Sequence, residues 1–256
     1  MTTISSYGPS AAFRWIKQGW RLYTKQFVRM TLLFMCAFSA VMMLSYLPLI
    51  GLLCSLLGMP LIQMLLFNAA FGTRLRGYFK SDDLAQKLRG SRIWSRLILA
   101  SLLLTLITFV LLNFTLPSMP ISMEAFMDLS SAQMQTMLEQ TFTPSTMATS
   151  IVVMLVFYIL TFWIYPLICW EDMRVVQAFM QSFKISMSNA LPISLMVIFF
   201  GVIAVLGVLI TSMLSWIMPY LVLVVLLFGI NILMVAFYMS LFCSYMEILY
   251  GENQSI

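Results

Sequence analysis

Residues 10–29, SAAFRWIKQGWRLYTKQFVR, carry the first strong separation of apolar and basic positions along the chain. At 100° per residue, a helix here has a narrow basic face and an apolar face opposite to it. The basic face consists of Arg14, Lys17, Arg21, Lys25 and Arg29, and the apolar face of Phe13, Ile16, Trp20, Tyr23 and Phe27. The pattern predicts an amphipathic helix that lies on a membrane surface, with its basic residues on lipid phosphate. Trp15, Trp20 and the later Trp170 are the predicted interfacial anchors.

Long apolar runs follow this segment. They predict transmembrane spans at residues 30–47, 49–71, 97–114, 150–169, 191–214 and 220–249. Each is close to the roughly 20 residues that a helix needs to cross a hydrocarbon layer of ~30 Å. Pro60 and Pro166 are expected to kink the second and fourth spans, because proline has no N–H to donate. Gln63 and Asn68 are expected to hydrogen-bond to neighbouring helices.

These segments predict an all-α polytopic membrane protein with one transmembrane domain. It has six transmembrane helices and two interfacial helices on the cytoplasmic face. The predicted order is an interfacial helix (10–29), a hairpin (30–72), a basic cytoplasmic loop (73–96), a third span (97–114), an outer loop (115–147), a fourth span (148–169), a second interfacial helix (170–189) and a second hairpin (190–249). The outer loop is expected to contain short amphipathic helices.

Two short segments suggest an internal repeat. QGWRLYTKQF (18–27) aligns with QSFKISMSNA (181–190), and four positions match: Gln18 with Gln181, Gly19 with Ser182, Trp20 with Phe183, and Arg21 with Lys184. Each segment opens a span–turn–span hairpin with a proline in its turn. The match predicts a parallel repeat, with residues 97–169 linking the copies. Chance or shared interfacial composition is the alternative explanation.

Composition and charge agree with a membrane location. A mean hydropathy of +0.98, with 62% hydrophobic and 9% charged residues, excludes a soluble domain of 256 residues. All fourteen Lys and Arg residues lie within residues 10–29, 74–96 and 174–184. The positive-inside rule places these stretches in the cytoplasm, and anionic lipid explains the net charge of +5 without nucleic acid. We expect the bacterial inner membrane, cytoplasmic termini and an N-terminus that is kept.

Three stretches carry a family resemblance: AFRWIKQGWRLYTKQF, LPLIGLLCSLLGMPLIQMLLFNAA and YPLICWEDMRVVQAFMQSFKISMSNALP. They resemble an uncharacterised family of six-span proteobacterial inner-membrane proteins. The matching motifs fall on Gly19-Trp20-Arg21-Leu22, on Pro48, Gly51 and Pro60, and on Ala178, Ser182-Phe183 and Asn189-Ala190-Leu191-Pro192. The layout is more loosely similar to YciC-like proteins and to the membrane domain of some glycerophosphodiester phosphodiesterases. The resemblance implies a fold and a location but no activity.

Residues suited to catalysis or ion coupling are scarce. The chain has no histidine, and its four cysteines form no CxxC pair. The adjacent acids Asp82-Asp83 and Glu171-Asp172 fall at the predicted cytoplasmic interface, where Glu171-Asp172 is expected to complete a surface charge network. Only Glu247, near the inner end of the last span, is an ionisable candidate within a span. We therefore expect no enzyme activity, no cofactor and no proton- or sodium-coupled transport.

The leading functional hypothesis is a non-enzymatic accessory or scaffold protein that associates with another membrane protein or complex and with anionic lipid. A second hypothesis is a transporter or channel for a lipid or small apolar solute, with a neutral path near Pro60 and Pro166. A third is Cu(I) handling by Met119, Met123 and Met127 in the outer loop, since thioethers are soft ligands. The spread of 23 methionines along the whole chain favours apolar filler over a metal site.

Overall fold

The computed structural model describes residues 5–116, 133–134, 136–137, 142–216 and 219–251, and these ranges contain helices and turns but no strand. The helices are α1 (Ser10–Lys25), α2 (Phe27–Ser45), α3 (Pro48–Arg76), α4 (Ser81–Gln86), α5 (Ser91–Thr115), α6 (Pro144–Thr161), α7 (Ile164–Trp170), α8 (Val175–Ser188), α9 (Ala190–Ser215) and α10 (Pro219–Tyr250). Most of the predicted outer loop lies outside the described residues. So do Met119, Met123 and Met127, the residues of the copper hypothesis.

Within the described residues, six helical segments are long and apolar enough to cross a membrane, which confirms the predicted class of multi-pass membrane protein. They are Phe27–Ser45, Leu56–Arg76, Arg92–Thr115, Pro144–Trp170, Ala190–Leu214 and Val225–Tyr250, with α6 and α7 together making the fourth. Large apolar side chains on their outer faces, such as Val202, Leu209 and Phe228, are exposed. In a bilayer these side chains contact lipid rather than water.

The two predicted proline kinks have different outcomes. α3 runs unbroken through Pro60, so this proline does not end the helix. The break between α6 and α7 lies at Phe162 and Trp163, just before Pro166. Pro166 has no N–H to offer the Phe162 carbonyl, which instead accepts a hydrogen bond from Gln63 Nε2 at 3.1 Å.

Two other carbonyls at this break are also satisfied by a neighbouring helix. Ser182 and Ser186 of α8 donate to the Leu160 and Ile159 carbonyls, each at 2.7 Å. Such partners are needed because a helix end leaves carbonyls without intrahelical donors. The prediction that Gln63 and Asn68 bond to neighbouring helices is confirmed, since Asn68 bonds to the Leu84 carbonyl and to the Trp170 indole.

The predicted repeat has a counterpart in the structure. α1 and α8 both end at a residue with non-helical dihedrals, Gln26 (φ −136°, ψ 40°) and Asn189 (φ −126°, ψ 27°), and a transmembrane helix begins at the next residue. These two breaks occupy matching positions in the alignment. The aligned Gly19 and Ser182 are both buried, whereas Trp20 and Phe183 are both exposed. Burial and helix breaks therefore follow the same pattern in both segments.

The middle of the chain is a third unit of the same layout rather than a link between two copies. Each unit has a short helix, a first span and a second span: α1–α3, α4–α7 and α8–α10. All three second spans begin at a proline, Pro48, Pro144 or Pro219, a residue favoured in the first turn of a helix. α4 packs on α3, α8 packs on α6 and α7, and α1 packs chiefly on α10, which closes the three units into a ring.

An aromatic cluster joins the three second spans at the centre of this ring. Ring centroids of Phe67 and Phe242 are 5.6 Å apart, those of Trp170 and Phe242 5.9 Å, and those of Phe67 and Trp170 6.5 Å. All three contacts are edge-on, a geometry that aromatic pairs prefer. The side that carries α1, α4, α8 and the ends of the second spans is called the basic side below.

Candidate functional site

A buried carboxylate fixes α1 to the end of α10. Glu247 is 1% exposed, and its Oε2 accepts hydrogen bonds from Arg14 Nε at 3.2 Å and from Trp15 Nε1 at 3.1 Å. A second guanidinium nitrogen of Arg14 pairs with Glu247 Oε1. The carboxylate is thus held by a two-pronged ion pair and an indole, all supplied by one turn of α1.

Residues before α1 extend this attachment. Tyr7 donates its hydroxyl to the Glu247 carbonyl at 3.0 Å, and its ring meets Trp15 edge-on and lies 5.8 Å from the Arg14 guanidinium. The Asn189 side chain accepts from the Tyr7 backbone N–H at 3.0 Å and donates to the Ser5 carbonyl at 3.0 Å. The N-terminal segment therefore hydrogen-bonds both to Asn189, just before α9, and to Glu247, near the end of α10.

Arg14 differs from the other predicted phosphate contacts. Its hydrogen bond to Glu247, followed by the charge of that carboxylate, raises the pKa of Arg14 against the opposing effect of burial. Arg14 thus has a protein carboxylate as its partner, which differs from its predicted role as a contact for lipid phosphate. The predicted helix 10–29 is also shorter than expected, because α1 ends at Lys25 and Arg29 lies on α2.

The buried face of α1 shares only Tyr23 with the predicted apolar face. It consists of Ala11, Ala12, Trp15, Gly19, Leu22 and Tyr23. Gly19 lies so close to α10 that a Cβ built there would be 2.5 Å from both the backbone nitrogen and Oγ of Ser240. α1 therefore packs into the bundle and does not simply rest on a bilayer. Phe13 and Trp20, which were expected on the apolar face, are exposed beside this interface.

The predicted tryptophan anchors occupy three environments. Trp15 is fully buried, so its assignment as an interfacial anchor is wrong: its indole bonds to protein. Trp20 is 48% exposed, which agrees with an anchor at the membrane–water interface. Trp170 is half-buried, with its Nε1 donating to Asn68 Oδ1 at 3.1 Å and its ring 5.1 Å from Phe71.

The remaining basic residues form an exposed set near one end of α1. Lys17, Arg21, Lys25 and Arg29 are all exposed. We call these four residues the basic patch. Elsewhere on the basic side, Arg96 pairs with Asp172 at 2.6 Å, and Glu171 accepts hydrogen bonds from the hydroxyls of Tyr245 and Tyr250. One ion pair of the charge network expected at Glu171-Asp172 is therefore present, at Asp172. A backbone hydrogen bond from Lys80, followed by the Arg76 contacts, lowers the pKa of Asp83.

A long apolar groove of about 730 Å³ lies between α9 and α10 and ends under α1. Ile16 and Trp20 line it at the α1 end, and Gly207 and Gly229 line it deeper in the membrane-spanning region. A Cβ built at either glycine would meet nothing within 4 Å. The glycines thus leave open a space that larger residues would fill.

A second cavity of about 410 Å³ lies among α3, α5, the α6–α7 break and α10. Its lining includes Pro60 and Tyr165, so it coincides with the region of the predicted neutral path. Hydroxyl and amide groups contribute to it: Gln63, Ser101, Thr105, Thr108, Tyr158, Thr161, Tyr165 and Tyr238. Among the described residues lining either cavity, none is Asp, Glu, Lys or Arg. Both sites therefore suit uncharged parts of a ligand.

No protein-family model, curated protein or solved structure matches this chain. The family resemblance seen in the sequence accordingly stays a prediction. Sequence reasoning also missed the role of Glu247. The sequence did contain a signal, because Glu247 is a single acidic residue in an otherwise neutral span. An acidic side chain within a membrane usually pairs with another group of the protein.

Proposed function

We propose that this protein is a non-enzymatic accessory protein of the bacterial inner membrane that binds an anionic phospholipid. The observation that carries the proposal is the position of the groove, which ends at Ile16 and Trp20 of the same helix that bears Lys17 and Arg21. An acyl chain fits the groove, while the phosphate of the same lipid lies at the basic patch. With the basic side in the cytoplasm, the orientation follows the positive-inside rule.

The two parts of the site contribute differently. An acyl chain gains little hydrophobic free energy in the groove, because the surrounding lipid is equally apolar. Its preference for the site therefore depends on the head group. Each Lys or Arg near the membrane surface is worth about 1 kcal/mol toward anionic lipid. Lys17, Arg21 and Lys25 together supply roughly 3 kcal/mol, enough for a preference on the order of a hundredfold.

Reversing three charges of the patch tests the head-group contact. We expect K17E/R21E/K25E to lower retention of phosphatidylglycerol about a hundredfold relative to phosphatidylcholine with the same chains, measured by native mass spectrometry from nanodiscs. The matched control is R89E/R92E/K184E, which makes the same charge change elsewhere on the basic side. Equal loss in both variants would show that total charge, rather than this site, selects the lipid.

Filling the groove in the same assay tests the acyl-chain contact. G207L/G229L places side chains in space that is open in the structure, and G201L is the control because Gly201 is equally open but does not line the groove. We expect bound lipid to be lost only from the double variant. Retention of lipid by both would remove the groove from the proposal and leave the basic patch as a surface contact.

The accessory role is supported by an exposed apolar stripe on α8. Val176, Met180, Phe183 and Met187 are exposed at spacings of four, three and four residues. Amphipathic helices dock on partner proteins through such a stripe. We expect the wild-type protein, purified from native membranes in mild detergent, to retain a stoichiometric membrane protein that F183E loses and K184E keeps. Identical retention by both variants would count against docking through α8.

A further inference from the structure

We propose that the cavity among α3, α5 and the α6–α7 break binds the head of a neutral, membrane-soluble alcohol. This site is separate from the groove between α9 and α10, so the proposal does not depend on the lipid site above. Its volume of about 410 Å³ lies in the range of small-molecule pockets. At ~30 Å³ for each group of water size, it holds roughly a dozen non-hydrogen atoms.

The cavity opens toward the membrane rather than toward the basic side. Thr105 of α5 and Tyr158 of α6 line it and are exposed, which places its mouth between these two helices. Tyr238 lies roughly 12 residues before the end of α10, or ~18 Å along the helix. Toward the basic side, the bundle is filled by the aromatic cluster around Phe67 and Phe242. This arrangement favours binding of a molecule from the bilayer over conduction through the bundle.

The hydrogen-bonding groups of the lining favour a ligand group that both donates and accepts. The Thr161 hydroxyl donates to the Phe157 carbonyl at 2.9 Å, and Gln63 Nε2 donates to the Phe162 carbonyl at 3.1 Å. The Thr161 oxygen keeps lone pairs after this bond, and Gln63 Nε2 keeps its second N–H. Pro60 has no N–H for the Leu56 carbonyl, and both residues line the cavity. The lining therefore offers acceptors beside the hydroxyls of Thr105, Thr108, Tyr158 and Tyr238, and a ligand O–H group can use both because it donates and accepts.

The same chemistry disfavours related ligands. A carboxylate or phosphate would enter a cavity whose described lining has no Lys or Arg to compensate its charge. A ketone or ether of the same size has no proton to donate, so it would leave the Thr161 oxygen and the Leu56 carbonyl without a donor. The Ser101 and Tyr165 hydroxyls share one hydrogen bond at 3.3 Å, so one proton of this pair is also available to a ligand oxygen. The structure thus assigns an aliphatic alcohol to the cavity.

Photolabelling with a diazirine-bearing hexadecanol tests the proposal on the full chain in nanodiscs. We expect labelled peptides from α5 and α6 that excess hexadecanol suppresses, while its methyl ether and hexadecanoate compete at least fivefold less well. T105F should abolish labelling by filling the mouth. The matched control L106F, which projects from the exposed face of the same helix, should leave labelling unchanged.

A variant with a smaller structural change tests recognition of the alcohol without disturbing the fold. T161V keeps the volume but removes the acceptor oxygen, and should weaken competition by the alcohol about fivefold without changing competition by the ether. Equal competition by alcohol, ether and carboxylate, or equal labelling of T105F and L106F, would overturn the proposal. The lipid-retention assay above is independent, so failure here leaves the proposed function intact.

Discussion

G19A is expected to weaken the attachment of α1 to α10 and to lower the melting temperature of the detergent-solubilised protein. Alanine ordinarily stabilises a helix relative to glycine by about 0.5–1 kcal/mol. Here its Cβ would lie 2.5 Å from the backbone nitrogen of Ser240, a contact that no side-chain rotation relieves. Overpacking of this kind typically lowers the free energy of unfolding by about 1–3 kcal/mol. For a chain near this length, a loss of ~2 kcal/mol lowers the melting temperature by roughly 4–8 °C.

The control for this variant is G201A. Gly201 also lies within a helix, but a Cβ built there meets nothing within 4 Å, so this substitution should be neutral or slightly stabilising. S240A combined with G19A should fail to restore stability, because the close backbone nitrogen remains. Equal melting temperatures for G19A and G201A would mean that α1 is not seated on Ser240.

The transmembrane spans could be predicted from the sequence because their signal is local. Length and apolar composition locate such helices without knowledge of what they contact. The predicted spans therefore agree with the observed ones to within a few residues at most ends. The exceptions are the third and fourth spans, whose helices begin at Ser91 and Pro144 rather than at residues 97 and 150, and the second span, whose helix continues through Arg76. There the basic residues Arg74 and Arg76 extend the helix beyond the apolar run.

The faces of α1 could not be assigned from periodicity alone. A two-sided pattern separates basic from apolar residues, but α1 meets three environments: protein, lipid and the polar boundary. Trp15 and Trp20 are both aromatic, yet one is buried in protein and the other is exposed. Protein interior and lipid are similarly apolar, so residue type does not distinguish them. The small residue Gly19 was the usable signal, since close helix packing in membranes favours glycine.

The third unit was missed because its short helix has a different composition. α4, with the sequence SDDLAQ, has none of the alternating basic and aromatic residues that mark α1 and α8. The proline at the start of each second span is a weak signal, since prolines also occur at other positions. What relates the units is where each short helix packs, which is a property of the folded chain.

The pair Arg14–Glu247 joins residues 233 positions apart, and a double-mutant cycle should show strong coupling between them. Removing one partner of a buried ion pair usually costs 3–5 kcal/mol, because the other charge is left buried. Arg14 is 39% exposed and Trp15 stays bonded to the carboxylate, so we expect about 2–3 kcal/mol for R14A. E247Q should cost less than R14A, since the amide is neutral and its oxygen still accepts from Trp15.

In the double variant R14A/E247Q, the loss should be well below the sum of the single losses, because no buried charge is left without a partner. The matched control is the pair Arg96–Asp172 on the same side, whose Asp172 side chain is 78% exposed. R96A and D172N should each cost under ~1 kcal/mol and couple weakly. Both double-mutant cycles are obtained by measuring the free energy of unfolding of each variant in mixed micelles. Coupling for Arg14–Glu247 no larger than for the exposed pair would mean that apolar packing alone holds α1. In that case, G19A would be the single-residue change with the larger effect on the position of the basic patch.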